Sequence, residues 1–349
     1  MCQKPPIVLL DLKVHPMADA QPPHPPSGPA RTAPRRLWTR TVVGISGVAA
    51  VVFAIILVAY YAINTVTRGL KDQKMGQKAG ISAPAALPAL PAAIAAAPGP
   101  CKPVYLTFNT AAMDMAPLVA EVLRRQQVQA TFFAANERTT ADATSLGDSW
   151  APWWKARAAE GHAFAPQTYD HAFWRGDVPG IEPRFRIRTQ SGAFAGREFT
   201  YDAAKYCAQI SQASSRLQDI TGQQPLPLFR APGGQTSPKL LAVARACGFE
   251  HVGWSGAGLL GDQLPSGAFP NAALLKKALQ SMAAGDVLLA HLGTGPRQDP
   301  WAPAALEPLL EGLKADGFCF KTLREHPLYQ PWIKTHTPAP TPVAPAAAK

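Results

Sequence analysis

His171, the last residue of GHAFAPQTYDH, and His291, the last of DVLLAH, are imidazoles placed where chemistry could be done. An imidazole ligates metals, moves protons and changes charge near neutral pH. Each of the two reads either as a direct ligand contact or as a hydrogen-bonded structural group. Arg230 opens the segment RAPGG. It either braces the turn at Gly233 and Gly234 or reaches a substrate through its forked guanidinium. Of the five cysteines, Cys2 stands apart from Cys101, Cys207, Cys247 and Cys319. No CxxC or Cys/His spacing of a zinc finger occurs among them, so they read as structural rather than as metal ligands. Four cysteines permit three pairings, and their count does not choose one.

Such side chains act together only if the fold brings them to one place. Short apolar runs alternate with helical patterns: VYLTF (104–108), ATFFAA (130–135), HAFA (162–165), LPLF (226–229), HVGW (251–254) and DVLLAH (286–291). Runs this short and this apolar are expected as buried strands. Between the first two, Leu118, Val119, Val122 and Leu123 repeat at helical spacing. Ser237 predicts a helix cap, with Pro238 at the first helical position and Gly248 at the end. Strand, helix, strand repetition means an α/β fold on a parallel sheet or barrel, with any site at the C-terminal strand ends.

Those ends carry an ordered set of fragments: LTFNTAAM (106–113), ATFF (130–133), GHAFAPQTYDH (161–171), FRAPGG (229–234), HVGWS (251–255) and VLLAH (287–291). In this order they resemble the NodB-homology polysaccharide deacetylases, carbohydrate esterase family 4, over about residues 101–325. The resemblance implies a distorted (β/α) barrel that removes acetyl groups from N-acetylated sugars with one divalent metal, zinc or similar. An amide carbonyl is a poor electrophile, so the family holds a cation with one Asp and two His to polarise it and activate a water. A second Asp takes the water's proton. A His on the opposite wall protonates the leaving amine, and an Arg orients the base.

Where the family has Thr-Phe-Asp-Asp-Gly, this chain has Thr107, Phe108, Asn109, Thr110 and Ala111. Asn109 stands at the position of the base, and an amide does not accept a proton near neutral pH. Thr110 stands at the position of the metal carboxylate. The family's two histidines four apart are here Gln167 and His171. Arg230 to Gly234 match the third motif, and Leu289, Ala290 and His291 match the fifth, whose His is the family's general acid. In the fourth motif no Asp follows Trp254 and Ser255, and Asp262 lies too far along to align. The resemblance therefore implies a catalytic set of His291, Arg230 and Asn109. It implies metal positions at His171, Thr110 and Gln167, and substrate contacts at Pro232, Gly233 and Trp254. One imidazole and two neutral oxygens do not match zinc's preference for N, S or carboxylate ligands. Loss of the base alone removes roughly 10² to 10⁴ in rate. Asp114, His162 and Asp170 are the nearest substitutes in sequence, but His162 reads as structural and Asp170 alternates away from His171 in an extended segment.

The same resemblance pairs Cys101, ahead of the first strand, with Cys319 in the expected last strand, GFCFKTL. It pairs Cys207 with Cys247, on helices that follow one another around the barrel. Trp153, Trp154, Trp174, Trp254 and Trp301 either stack on sugar faces or pack as core and rim. The segment 177–201, with Arg184, Arg186, Arg188 and Arg197, is expected as a solvated loop near the cleft, with a basic lip for acidic glycans as the other reading.

Ahead of this region, 27 uncharged residues separate Arg40 from Arg68. That exceeds the ~20 apolar residues of a membrane-spanning helix. Arg31, Arg35, Arg36 and Arg40 flank its N-terminal side, which the positive-inside rule keeps in the cytoplasm. A cleaved signal peptide is the alternative, although its apolar region is ~7–15 residues and begins near the start. The expected organisation is a cytoplasmic disordered segment (1–40), a transmembrane anchor (41–67), a Pro/Ala-rich linker (68–100), the deacetylase-like domain (101–333) and a disordered tail (334–349). The domain is then periplasmic or outside the cell, held at the inner (cytoplasmic) membrane. Of a net charge of +11, residues 1–78 contribute 10 bases and 3 acids, against 24 and 20 beyond. With no long Lys/Arg run and no nucleic-acid motif, nucleic acid is not an expected partner. The expected partners are the membrane, through one helix, and a cell-envelope glycan, either peptidoglycan or another N-acetylated polysaccharide. Two function classes follow: an amide hydrolase with an altered site, or a non-catalytic relative that binds a glycan or envelope partner.

Overall fold

The computed structural model describes residues 101–337 except 142, 296 and 303. The expected cytoplasmic segment, anchor and linker, and the tail from residue 338, lie outside the described residues. Among the described residues no helix is long and apolar enough to cross a membrane.

The described chain is a mixed α/β fold. Its strands are β1 (Lys102–Asn109), β2 (Thr131–Ala134), β3 (Ala163–Pro166), β4 (Ala172–Asp177), β5 (Arg184–Thr189), β6 (Glu198–Asp202), β7 (Leu228–Phe229), β8 (Glu250–His251), β9 (Val287–His291) and β10 (Phe318–Phe320). Its helices are α1 (Ala116–Arg125), α2 (Ala151–Ala159), α3 (Ala203–Thr221), α4 (Pro238–Ala246), α5 (Asn271–Ser281), α6 (Leu306–Ala315) and α7 (Gln330–His336). The first half of β1 pairs with β10, and its second half lies between β2 and β9, all parallel. β3 follows β2, and β7 pairs with β8. Backbone hydrogen bonds from Leu226 to Phe164 and from Arg230 to Pro166 tie the β7 segment to β3. Bonds from Ser255 to Val287 and from Leu289 to Gly258 tie the chain after β8 to β9, so the pairing returns to β1.

Period-two alternation explains what β1 carries. Val104, Leu106 and Phe108 pack outward in one core with Val119, Leu123, Phe132 and Leu288. Tyr105 packs inward with Phe133, Ala165, Leu228 and Val252. Thr107 and Asn109 share the inward face with Tyr105. The register sets Asn109 level with Phe133 on β2 and His291 on β9. At α4 the expected cap is present: the Ser237 hydroxyl accepts from the Leu240 N–H at 3.1 Å, Pro238 opens the helix and Gly248 turns the chain at φ +89°.

Two stretches differ from expectation. The expected solvated loop at 177–201 is a three-stranded antiparallel sheet, β4–β5–β6. In RFRIRT, Phe185, Ile187 and Thr189 are buried and the three arginines between them are exposed. Phe185 and Ile187 pack with Tyr201, Tyr206 and Phe229, which gives this sheet its own core. The folded chain also passes the expected boundary at 333, because α7 runs to His336 and seats Trp332 and Ile333 against the inner core.

Two disulfides brace the ends. Cys101–Cys319 joins the start of β1 to β10, with Cα atoms 5.7 Å apart. Cys207–Cys247 joins α3 to the end of α4, with Cα atoms 5.9 Å apart. These are the pairs that the resemblance implies.

Candidate functional site

The C-terminal ends of β1, β2, β9 and the segments after β3, β7 and β8 surround a cavity of about 530 Å³. Behind its lining residue Asn109 lies Arg230, 0% exposed and outside the lining. Nε donates to the Val252 carbonyl at 3.1 Å and Nη2 to the Gly253 carbonyl at 3.0 Å. Nη1 donates to Thr107 Oγ1 at 2.8 Å and to Asn109 Oδ1 at 3.0 Å. The guanidinium also lies 4.0 Å from the centre of the Phe133 ring. Burial lowers its pKa to about 9, with no carboxylate among these contacts to offset it. A guanidinium only donates, so the Asn109 oxygen must face it. What Asn109 has left is its NH₂ group, a donor where the family's base would have to accept.

The first wall is built on β1, β2 and the turn after β3. The Thr110 hydroxyl accepts from the Ala135 N–H at 3.0 Å and donates to Glu137 Oε2 at 2.5 Å. The other Glu137 oxygen lies 3.2 Å from His171 Nδ1. The same nitrogen is 3.3 Å from Gln190 Oε1, on the loop that leaves β5. Glu137 is held from behind, its N–H donating to the Ser145 hydroxyl at 2.9 Å. His171 reaches this place with φ +48°, in the left-handed region that few side chains other than Asn, Asp and His adopt.

The second wall is built on β9. His291 Nδ1 lies 3.2 Å from both carboxylate oxygens of Asp262, and the His291 N–H donates to Asp262 Oδ2 at 2.6 Å. Asp262, set aside in sequence because of its spacing from Trp254, therefore sits against the imidazole that the resemblance makes the general acid. Trp254 and Gly233 line the cavity between the walls. A Cβ at Gly233 would stand 2.6 Å from the Phe173 ring, and its φ is +62°, so this position requires glycine.

Other expected residues lie elsewhere. Gln167 is 0% exposed and does not line the cavity; its Nε2 donates to the Phe133 carbonyl at 3.4 Å and its Oε1 has no partner. Pro232 is buried and also outside the lining. Trp153, Trp154 and Trp301 pack in the outer core, and Trp174 bonds Asp177. The three substitutes nearest in sequence serve structure. Asp114 accepts from the backbone and hydroxyl of Thr294, and Asp170 accepts from Gln209. His162 accepts from the Ala130 N–H, and burial lowers its pKa to about 4.

Sequence reasoning missed Glu137 and Gln190. The signal for Glu137 was available: a carboxylate just beyond the end of ATFFAA, at the C-terminal end of a strand. Even with Glu137 the donor set does not fit the family's cation. A hydrolytic zinc takes three His or carboxylate ligands and leaves one position open. Here one imidazole and one carboxylate bond each other, and the other two family positions are a hydroxyl and a buried amide. Among the described residues no group of three or more His, Cys, Asp or Glu could hold a metal ion.

The sequence profile of the family described as Polysaccharide deacetylase matches residues 96–252. A chitooligosaccharide deacetylase of Azorhizobium caulinodans is 27% identical over 230 residues, 63% of this chain and 92% of that protein. Among solved structures, a family 4 acetyl xylan esterase from Clostridium thermocellum in complex with a cobalt ion has a TM-score of 0.49 at 20% identity, over 66% of this chain and 91% of that one. A carbohydrate esterase family 4 pseudoenzyme from Bacillus anthracis has a TM-score of 0.47 at 18% identity, over 65% of this chain and 66% of that one. The profile and the chitooligosaccharide relative agree with the order of the fragments around the cavity and support a NodB-type polysaccharide deacetylase family member, of carbohydrate esterase family 4.

Proposed function

We propose that this protein is a glycan-binding member of its family, one that keeps the cleft and has given up metal-assisted deacetylation. The observation that carries the reading is the closed bonding of the first wall. The Asn109 oxygen is committed to Arg230, and Thr110 and His171 are committed to Glu137. No side chain there accepts a proton from water while two others hold a cation. The cavity nevertheless persists, with Trp254 and Phe173 in its lining as apolar plates of the kind that sugars stack on.

The ligand class is an amino-sugar glycan of the cell envelope, supported by a relative whose name specifies chitooligosaccharide. The uncharged run 41–67 supports a single-pass anchor in the cytoplasmic membrane, with the domain presented to the envelope through the 68–100 linker. In a binding assay with chitooligosaccharides and peptidoglycan fragments, the full-length chain binds, and it releases no acetate with or without added zinc. Acetate release that depends on zinc and is lost in His291→Ala would replace this reading with the hydrolase.

A further inference from the structure

Glu137 has no counterpart among the positions that the family resemblance supplies, and its surroundings specify a partner. Two lining residues of the cavity, Glu137 and Asp262, are carboxylates, and among the described residues that line it none is Lys or Arg. Arg230, which meets the lining residue Asn109, is fully buried and spent on four acceptors. Asp262 is 4% exposed, with both oxygens turned to His291. Glu137 is held differently. Its oxygens meet one hydroxyl and one imidazole nitrogen, groups that orient a carboxylate without having to neutralise it. A carboxylate has about four lone-pair sites, and these contacts use two. Removing such a group from water is costly unless a cation pairs with it, and a charge-assisted N–H···O bond is the strongest pairing available.

From this geometry we infer that the cavity takes an amino sugar whose nitrogen is a free ammonium, a de-N-acetylated hexosamine unit, with Glu137 as the residue that binds the nitrogen. The inference rests on the glycan-binding reading and names the unit of the glycan that sits at the first wall. An acetamido group offers Glu137 one neutral N–H donor and no charge, a weaker pairing than an ammonium with three donors and a positive charge. The unit recognised is therefore the kind that an amide hydrolase acting on the glycan produces. General attraction does not account for it, because the residues beyond 78 carry 24 bases against 20 acids, a balance that does not draw in a polycation.

Isothermal titration of the full-length chain with glucosamine tetramer and with N-acetylglucosamine tetramer tests this. The glucosamine tetramer binds tighter by about tenfold or more, the scale of one charge-assisted bond. Glu137→Gln, which keeps the acceptor for Thr110, erases the difference, and Glu137→Asp keeps part of it. With no variant at all, raising the pH until the ammonium loses its proton removes the preference of the native chain. Equal or tighter binding of the acetylated tetramer, unchanged in Glu137→Gln, would overturn the inference and leave the glycan-binding reading standing. Binding of neither tetramer would overturn both.

Discussion

The two walls of the cavity each set one imidazole against one carboxylate, yet they are made in opposite ways. On the β9 side Asp262 holds both the backbone N–H and the ring of His291, and the carboxylate is almost fully buried. On the β1 side Glu137 reaches across from the end of β2 to Thr110 and to His171, whose backbone is turned into the left-handed region. The first arrangement fixes an imidazole. The second fixes a carboxylate and leaves it 15% exposed, against 4% for Asp262. One wall positions an imidazole, whereas the other, where the family resemblance implies a metal-binding triad, presents a carboxylate.

The largest effect comes from undoing that change. Asn109→Asp, Thr110→Asp and Gln167→His together restore the family's base and metal ligands, and titration calorimetry then shows one zinc per chain where the native chain shows none. Because the new carboxylate at 110 stands beside Glu137, like charges destabilise the metal-free variant. Its melting temperature therefore rises with zinc and falls again with chelator, while that of the native chain does neither. No zinc binding in the triple variant would mean that the wall differs by more than three side chains.

The buried interior provides the next effect, through two histidines whose shifts involve no carboxylate. Burial, then the Arg230 charge, lowers the His251 pKa to about 3, and burial lowers that of His326 to about 4, from an ordinary 6.5. Their neutral forms are the folded forms, so the unfolded chain binds more protons below pH 6.5 and stability falls with pH. The loss runs from about pH 6.5 down to about pH 4 for His326 and about pH 3 for His251, with an upper slope near 1.4 kcal/mol per unit for each histidine. Urea midpoints measured over this range check it, and His326→Gln flattens the profile. Arg230→Met follows in size. It strands the Val252 and Gly253 carbonyls and the Thr107 and Asn109 oxygens. It costs about 3 kcal/mol or more at an unfolding midpoint, because each buried acceptor left unpaired costs about 1–3 kcal/mol.

Much of this was legible in the sequence where a single physical signal decided the outcome. Apolar runs gave β1, β2, β3 and β9 to within a residue or two, and Ser237 with Pro238 fixed the start of α4. RFRIRT was missed although its alternation is a strand signal, because the arginines drew the reading toward solvent and the buried set is only Phe185, Ile187 and Thr189. Reading along motifs located Asn109, His171, Arg230 and His291, which the fold does bring together. It did not locate Glu137 or Asp262, because neither lies in register with a motif. Glu137 is 27 residues from Thr110 and Asp262 is 29 from His291, and only the pairing of β1 with β2 and the loop before α5 close those separations. Gln167 shows the reverse case: a motif position whose side chain is sealed under the wall rather than in it.

The smallest effects separate the two walls directly. Asp262→Ala leaves the His291 N–H without its acceptor in a place that water barely reaches, and is expected to cost about 2 kcal/mol of stability. Glu137→Ala removes the partner of a hydroxyl and an imidazole that face the cavity, where water can replace it, and is expected to cost under about 1 kcal/mol. Binding reverses the order: Glu137→Ala removes most of the affinity for a glucosamine oligomer, and Asp262→Ala removes little. Equal stability losses would show that the first wall is as closed as the second. In that case a carboxylate so tightly held could not be the part of the cavity that meets the ligand, and the contrast between the walls would lose its functional meaning.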